Sequence, residues 1–275
     1  MKLPARKTVL SIAPVVLMFL SGSVVLAQNA PQTHPIVELK QQCVLGGVRN
    51  QRWVAAERIP KSLKPKQKLK LYTLAGPAGD FTIDKISSDD CGGESVESTS
   101  KAAEGVALAA PTWEVMPRTP RPVDPKDTTY TKVIADILIA NGIRKPEVEI
   151  NQGYKIDLDG DGKDEVVIIA SHFKQGVGEL TGIGHGTATG DYALVLVRKI
   201  VNEQVRNIFI IKDIRRGRNE GPLVRGYHLS AIADLNGDGV MELVLYDAYH
   251  EGSASHVVEI KRVKANFVLN CACEH

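Results

Sequence analysis

Two short stretches carry oxygen-bearing side chains at a spacing that suits a hard metal ion. In "DLDGDGKDE", residues 157–165, Asp157, Asp159, Asp161 and Glu165 stand at positions 1, 3, 5 and 9, with Gly162 at position 6. In "DLNGDGVME", residues 234–242, Asp234, Asn236, Asp238 and Glu242 take the same places, with Gly239 at position 6. Alternating oxygens ahead of a glycine let the backbone fold round one cation, and Ca²⁺ accepts such sites because it tolerates roughly six to eight oxygens in flexible geometry. The expectation is two calcium sites, with the position-7 carbonyls of Lys163 and Val240 as additional ligands. Metal-free turns are the alternative, since Asp-Gly and Asn-Gly pairs make hairpins by themselves. They explain the glycines, but not acids kept in one register twice, where like charges repel. Calcium affinity rises with ligand charge, so the first loop, with four carboxylates against three, is expected to bind more tightly.

The flanks decide which kind of loop this is. An EF-hand shares the first six positions but needs a glutamate at position 12 and helices on either side. Position 12 is Ile168 in one loop and Leu245 in the other, and the neighbouring residues are β-branched and apolar. A nine-residue loop closing a β-hairpin fits instead.

The elements that must hold the loops repeat as well. "VEINQGYKIDL", "DEVVIIASHF", "DYALVLVRKI" and "VRNIFIIKDI" run apolar or alternate over strand lengths, and "VNEQ" joins the last two as a hairpin turn. "GYHLSAIADL", "MELVLYDAYH", "SHVVEIKRV" and "NFVLNCAC" follow in the same order, and Asp157 and Asp234 give a period of 77 residues. The fold class expected is mainly β with one helix: two four-stranded antiparallel units, about 147–214 and 226–275, and a small N-terminal module. The helix starts at the N-cap candidate Asp127, spaces Tyr130, Val133, Ile134, Ile137 and Leu138 on one face, and stops at Asn141-Gly142. Residues 93–126, rich in Ser, Ala and Pro, read as a linker between a module at 36–92 and the unit at 127–275. In the first module "QRWVAAERI" and "KLKLYTLAG" suit short strands or one short helix, and "CVLGG" suits a tight turn.

These two loops, with their strand order, resemble the calcium loops of FG-GAP/VCBS-type repeats, as found in the integrin α β-propeller. The resemblance is strong over roughly 40 residues and extends in strand order to about 130. It implies one propeller-blade-like sheet per repeat and calcium at Asp157, Asp159, Asp161 and Glu165 and at Asp234, Asn236, Asp238 and Glu242. The Phe-Gly and Gly-Ala-Pro signatures that name the family are missing: "VVIIASHF" and "LVLYDAYH" stand where the latter belongs. Two blades do not close a ring, since propellers use about four to eight, so an open pair of sheets is expected. The whole chain also resembles exported bacterial proteins with such repeats.

The first 27 residues have the form of a signal peptide: Lys2, Arg6 and Lys7, an apolar run from Val9 to Leu20, and Val25-Leu26-Ala27 before Gln28. Cleavage there takes three bases and no acids from totals of 34 and 32, leaving 31 against 32 and a formal charge of −1. A secreted or periplasmic location is expected, with no membrane contact after cleavage and no nucleic-acid partner, since the remaining chain is not basic. Cys43, Cys91, Cys271 and Cys273 allow three disulfide connectivities. Cys43 with Cys91 is the pairing favoured here, with a strained Cys271–Cys273 bridge or two half-buried thiols as alternatives.

Other candidates for chemistry are weaker. "GVGELTGIGHGTATG", residues 176–190, holds Glu179 and His185 but leads into a strand, which argues for a surface loop over a dinucleotide fingerprint. His172, His250 and His256, with Glu251, lie near strand ends in no catalytic spacing. Arg215, Arg216 and Arg218 read as a solvated turn, and Trp53 and Trp113 as packing residues. The function expected is a non-catalytic interaction or adhesion-like module with an unknown protein or glycan partner at the cell envelope. The alternative is a secreted hydrolase using the 171–191 loop.

Overall fold

The structure is a computed structural model that describes residues 32–59, 63–88, 93–99, 104–174, 177–178, 182–183, 188–217, 225–249 and 252–274. It is mainly β with a single α-helix among the described residues. The N-terminal half supplies β1 (His34–Glu38), β2 (Cys43–Arg49), β3 (Arg52–Ala55), β4 (Lys68–Thr73), β5 (Gly76–Thr82), β6 (Lys85–Ser88), β7 (Glu94–Glu97), β8 (Val106–Leu108) and β9 (Arg121–Pro122). The C-terminal half supplies α1 (Thr128–Ala140), β10 (Ile150–Ile156), β11 (Glu165–His172), β12 (Val177–Gly178), β13 (Gly182–Ile183), β14 (Tyr192–Val201), β15 (Gln204–Ile214), β16 (Gly226–Ala233), β17 (Glu242–Tyr249), β18 (Gly252–Lys261) and β19 (Lys264–Glu274).

Both repeat units form as antiparallel meanders. One sheet runs β15-β14-β11-β10 with β9 added at its edge, and the other runs β16-β17-β18-β19. Each strand expected in the repeats is present. Alternation decides which residues face which layer: Val167, Ile169, Val195 and Val197 pack with Leu243, Leu245, Val258 and Ile260 between the two sheets. Their neighbours Val166, Ile168, Leu194 and Leu196 face the other way, onto Ile134 and Leu138 of the helix. This double burial is why β11 and β14 read as continuous apolar runs. On the far face of the second repeat, Ala231, Ala233, Val244, Val257 and Leu269 pack against Ile36, Leu45 and Val48 of the N-terminal sheet. The order of layers is therefore helix, first repeat, second repeat, N-terminal sheet.

The helix is capped at both ends. Asp127 accepts the Thr129 N–H at 2.7 Å, and the last turn closes with Gly142 N–H on the Ile139 carbonyl and Ile143 N–H on the Leu138 carbonyl, each at 3.0 Å, a Schellman arrangement.

The N-terminal half departs most from expectation. Eight of its nine strands, β1 to β8, form one sheet in the order β5-β4-β8-β1-β2-β7-β6, with β3 on β2. Two of them, β7 and β8, come from the segment read as a linker, whose Val106–Leu108 pair with both β1 and β4 and are fully buried. Val115 and Met116 of the same segment join the core under the second repeat. Three apolar residues are enough for a short central strand, but too few to show a period in a Ser/Pro-rich context.

"CVLGG" is strand β2 rather than a turn. Its glycines answer to crowding: a Cβ on Gly46 would lie 2.7 Å from the Val54 carbonyl oxygen and 2.8 Å from the Leu269 side chain. The favoured Cys43–Cys91 pairing is overturned, because Cys43 is bonded to Cys271, tying β2 to β19 across two layers. That bond also excludes the Cys271–Cys273 bridge, and Cys273 is itself disulfide-bonded. Cys91 lies outside the described residues.

Candidate metal centre

Each acidic loop closes one antiparallel pair, with Glu165 opposite Ile156 in the first and Glu242 opposite Ala233 in the second. Five internal hydrogen bonds recur in both loops. The position-1 carboxylate receives the N–H groups of positions 4, 5 and 6: Gly160, Asp161 and Gly162 on Asp157, at 2.7, 3.1 and 3.0 Å. Gly237, Asp238 and Gly239 do the same on Asp234, at 2.7, 3.2 and 2.9 Å. The position-5 carboxylate takes the position-7 N–H, Lys163 on Asp161 at 2.8 Å and Val240 on Asp238 at 2.9 Å. The position-9 carboxylate reaches back to position 2, Glu165 to Leu158 N–H and Glu242 to Leu235 N–H, both at 2.8 Å. Gly162 and Gly239 adopt φ of +83° and +87°, a region L side chains avoid, which is why position 6 is glycine in both.

A carboxylate oxygen that accepts one N–H retains a second lone pair, so this scaffold leaves acceptor capacity for a cation. In the first loop Asp157, Asp159 and Glu165 bring one oxygen each within 4.8 Å of one another, a grouping that could hold a metal ion. Asp161 is not part of that group. In the second loop Asn236 is drawn into the turn, accepting the Asp238 N–H at 2.8 Å and donating to the Asp238 carboxylate at 3.1 Å.

The surroundings of the loops differ more than the loops do. Lys199 of β14 places its Nζ 2.7 Å from Asp159 Oδ2 and 2.8 Å from Glu165 Oε1. Burial pushes the Glu165 carboxyl up, against the opposing pull of the Lys199 hydrogen bond. Burial would depress the Lys199 ammonium, but its bonds to the two carboxylates outweigh that and raise it. In the second loop burial pushes Glu242 up to about 9, opposed by the Leu235 N–H and reinforced by the charges of Asp238, Asp234 and Glu259. Burial likewise raises Asp234, against the N–H groups of Gly239 and Gly237.

Arg118 and Trp113 bind the loops to each other and to the core, and Trp53 holds the neighbouring Glu259. Arg118 donates to the Leu158 carbonyl at 3.1 Å and the Gly239 carbonyl at 2.7 Å, and Leu158 also accepts the Met241 N–H at 2.8 Å. Trp113 donates to the Asp234 carbonyl at 2.8 Å and lies against Gly237. Trp53 donates to Glu259 Oε1 at 2.7 Å. Lys199, Glu259, Arg118 and the roles of both tryptophans were not among the residues picked out from spacing, because each reaches the loops through tertiary pairing.

Elsewhere, buried Asp247 meets His256 Nε2 at 2.8 Å and Arg225 Nη1 at 3.0 Å. It is an acid–base pair whose carboxylate is shared with a guanidinium. His185 and Glu179, on which the hydrolase alternative rests, lie outside the described residues. Among the described residues no helix is long and apolar enough to cross a membrane.

No protein-family model, curated protein or solved structure matches this chain.

Proposed function

We propose that this is an exported calcium-binding β-repeat protein, of the FG-GAP/VCBS-like kind, that serves as a non-catalytic interaction module at the cell envelope. The observation that carries the reading is the matched set of hydrogen bonds in the two loops, which holds carboxylates in one register at the ends of two sheets. Calcium, when bound, would supply a positive centre for carboxylates that otherwise repel one another. Asp157, Asp159 and Glu165 and, in the other loop, Asp234, Asp238 and Glu242 have the hard oxygen chemistry for it. The Cys43–Cys271 bond supports an oxidising, secreted or periplasmic location.

An interaction role draws support from the outer strands β15 and β19, which lie against each other and leave Val205, Phe209 and Phe267 exposed, together with Val263 of the turn before β19. The partner class consistent with this is a protein or glycan of the envelope. Thermal unfolding in calcium and in chelator tests the metal half of the proposal: an unchanged melting temperature at millimolar calcium sinks it. Affinity capture from envelope extracts tests the other half, with Phe209→Asp/Phe267→Asp expected to abolish whatever the wild type retains.

A further inference from the structure

The two loops share a backbone and differ in electrical surroundings, and one cross-strand position accounts for the difference. Val166 faces Arg198 in one ladder, and Leu243 faces Val258 in the other. One residue nearer the loops, Glu165 therefore stands opposite Lys199, and Glu242 opposite Glu259. The hairpins give the same equivalence: Val201 pairs with Gln204 and Lys261 with Lys264 at the turns, so Lys199 and Glu259 each lie two residues before a turn. A lysine in the first repeat is a glutamate in the second.

Lys199 is buried, and its ammonium is within 2.8 Å of two of the three carboxylates that could ligate a metal. A divalent ion entering that loop must displace the ammonium or endure its repulsion at contact distance. The second loop holds the opposite situation. Glu242 is 1% exposed and spends Oε2 on the Leu235 N–H, while its Oε1 is buried with no hydrogen-bond partner. Glu259, also buried, has its oxygens on Trp53 and on the ammonium of Lys261, an exposed side chain that feels the charges of Asp238 and Glu242 but is ion-paired to Glu259. A buried acceptor without a donor is costly to keep; Asp234, Asp238 and Glu242 do not converge as the acids of the first loop do, and an oxygen-seeking cation that draws them together removes that cost.

We propose that the loops are unequal: the second, with Asp234, Asn236, Asp238 and Glu242, binds one calcium-like divalent cation, and the first is closed by Lys199 acting as its internal cation. The inference rests on the calcium reading above, and it reverses the order given by counting carboxylates. Both tryptophans of the chain, Trp53 and Trp113, adjoin the second loop, so indole fluorescence reports that loop directly.

The test is calorimetric titration of the chelator-treated protein with calcium chloride, with tryptophan fluorescence followed in parallel. The wild type is expected to bind one equivalent with a fluorescence change. Glu242→Gln should weaken binding at least tenfold, and Lys199→Met should bind a second equivalent that leaves the indole signal unaltered. Lys199→Met strips Glu165 of its partner and can fail to fold, so Asp159→Asn, at a side chain one-third exposed, supplies an independent arm. Its outcome assigns the ion: an equivalent retained with its indole change belongs to the second loop, and one that is lost belongs to the first. Two equal equivalents in the wild type, or one that survives Glu242→Gln and disappears in Asp159→Asn, would overturn the inference and leave the calcium reading standing. No heat and no fluorescence change at millimolar calcium, in the wild type and Lys199→Met alike, would remove both.

Discussion

Replacing Lys199 by Met is the sharpest perturbation of the first loop. The ammonium is 10% exposed and bonded to Glu165, itself 1% exposed, and to Asp159, which is 33% exposed. Breaking a buried ion pair by removing one partner costs about 3–5 kcal/mol, because the remaining charge stays buried and unpaired. Asp159 can turn toward water, so most of that cost falls on Glu165. For a domain of this size each kcal/mol lowers the melting temperature by about 2–4 °C, so the fall expected in chelator is roughly 6–20 °C. Urea unfolding with chelator present measures it. The double variant Lys199→Met/Glu165→Gln should recover most of the loss, since the orphaned charge is gone. A loss below about 1 kcal/mol would place the pair with exposed surface ion pairs and refute the idea that Lys199 neutralises the loop.

Three further outcomes are expected. Replacing Cys43 and Cys271 by serine should cost about 2–5 kcal/mol, read as a lower melting temperature than that of the oxidised wild type with no reductant present; equal values would mean the bond is dispensable. Arg118→Met takes a donor from the exposed Gly239 carbonyl and from the Leu158 carbonyl, which keeps the Met241 N–H, and equilibrium unfolding should register a loss of about 0.5–1.5 kcal/mol, whereas no change would show that water takes its place. Glu38 is buried and its carboxyl is raised above the ordinary value of 4.5, burial outweighing hydrogen bonds from Gln41, Ser255 and Lys40. The native state thus holds that proton more tightly than the unfolded chain, so its contribution is complete below about 4.5 and fades as pH rises through the folded value. Stability should decline over that range in the wild type and decline less in Glu38→Gln; parallel pH profiles would contradict the assignment.

What could be read from the sequence, and what could not, follows the range of the interactions. The strands of both repeats were legible because β11 and β14 are buried on two faces and so run apolar without interruption. The nine-residue loops were legible because every bond that shapes them, from Asp157 to Gly162 or from Glu242 to Leu235, closes within a few residues. The charge balance was not legible. Lys199 lies 34 positions from Glu165 and meets it through the register of β11 against β14, which no pattern local to either strand sets. The same limit hid β8, whose three residues become a strand only between β1 and β4, and the Cys43–Cys271 bond, which spans 228 residues. Gly46 resembled a turn glycine, although the close approach of Leu269 is what requires it.

The central claim is that calcium stabilises this fold through the second loop, and the slope of stability against free calcium tests it most directly. An ion that binds only the native state adds RT ln(1 + [L]/Kd) per site, so above Kd each tenfold rise adds about 1.4 kcal/mol for one site and about 2.8 kcal/mol for two. Unfolding free energies measured from micromolar to millimolar calcium should climb at the one-site slope in the wild type, and in Glu242→Gln should begin that climb only at calcium at least tenfold higher. A flat wild-type line would contradict calcium binding, and a two-site slope would contradict the role given to Lys199.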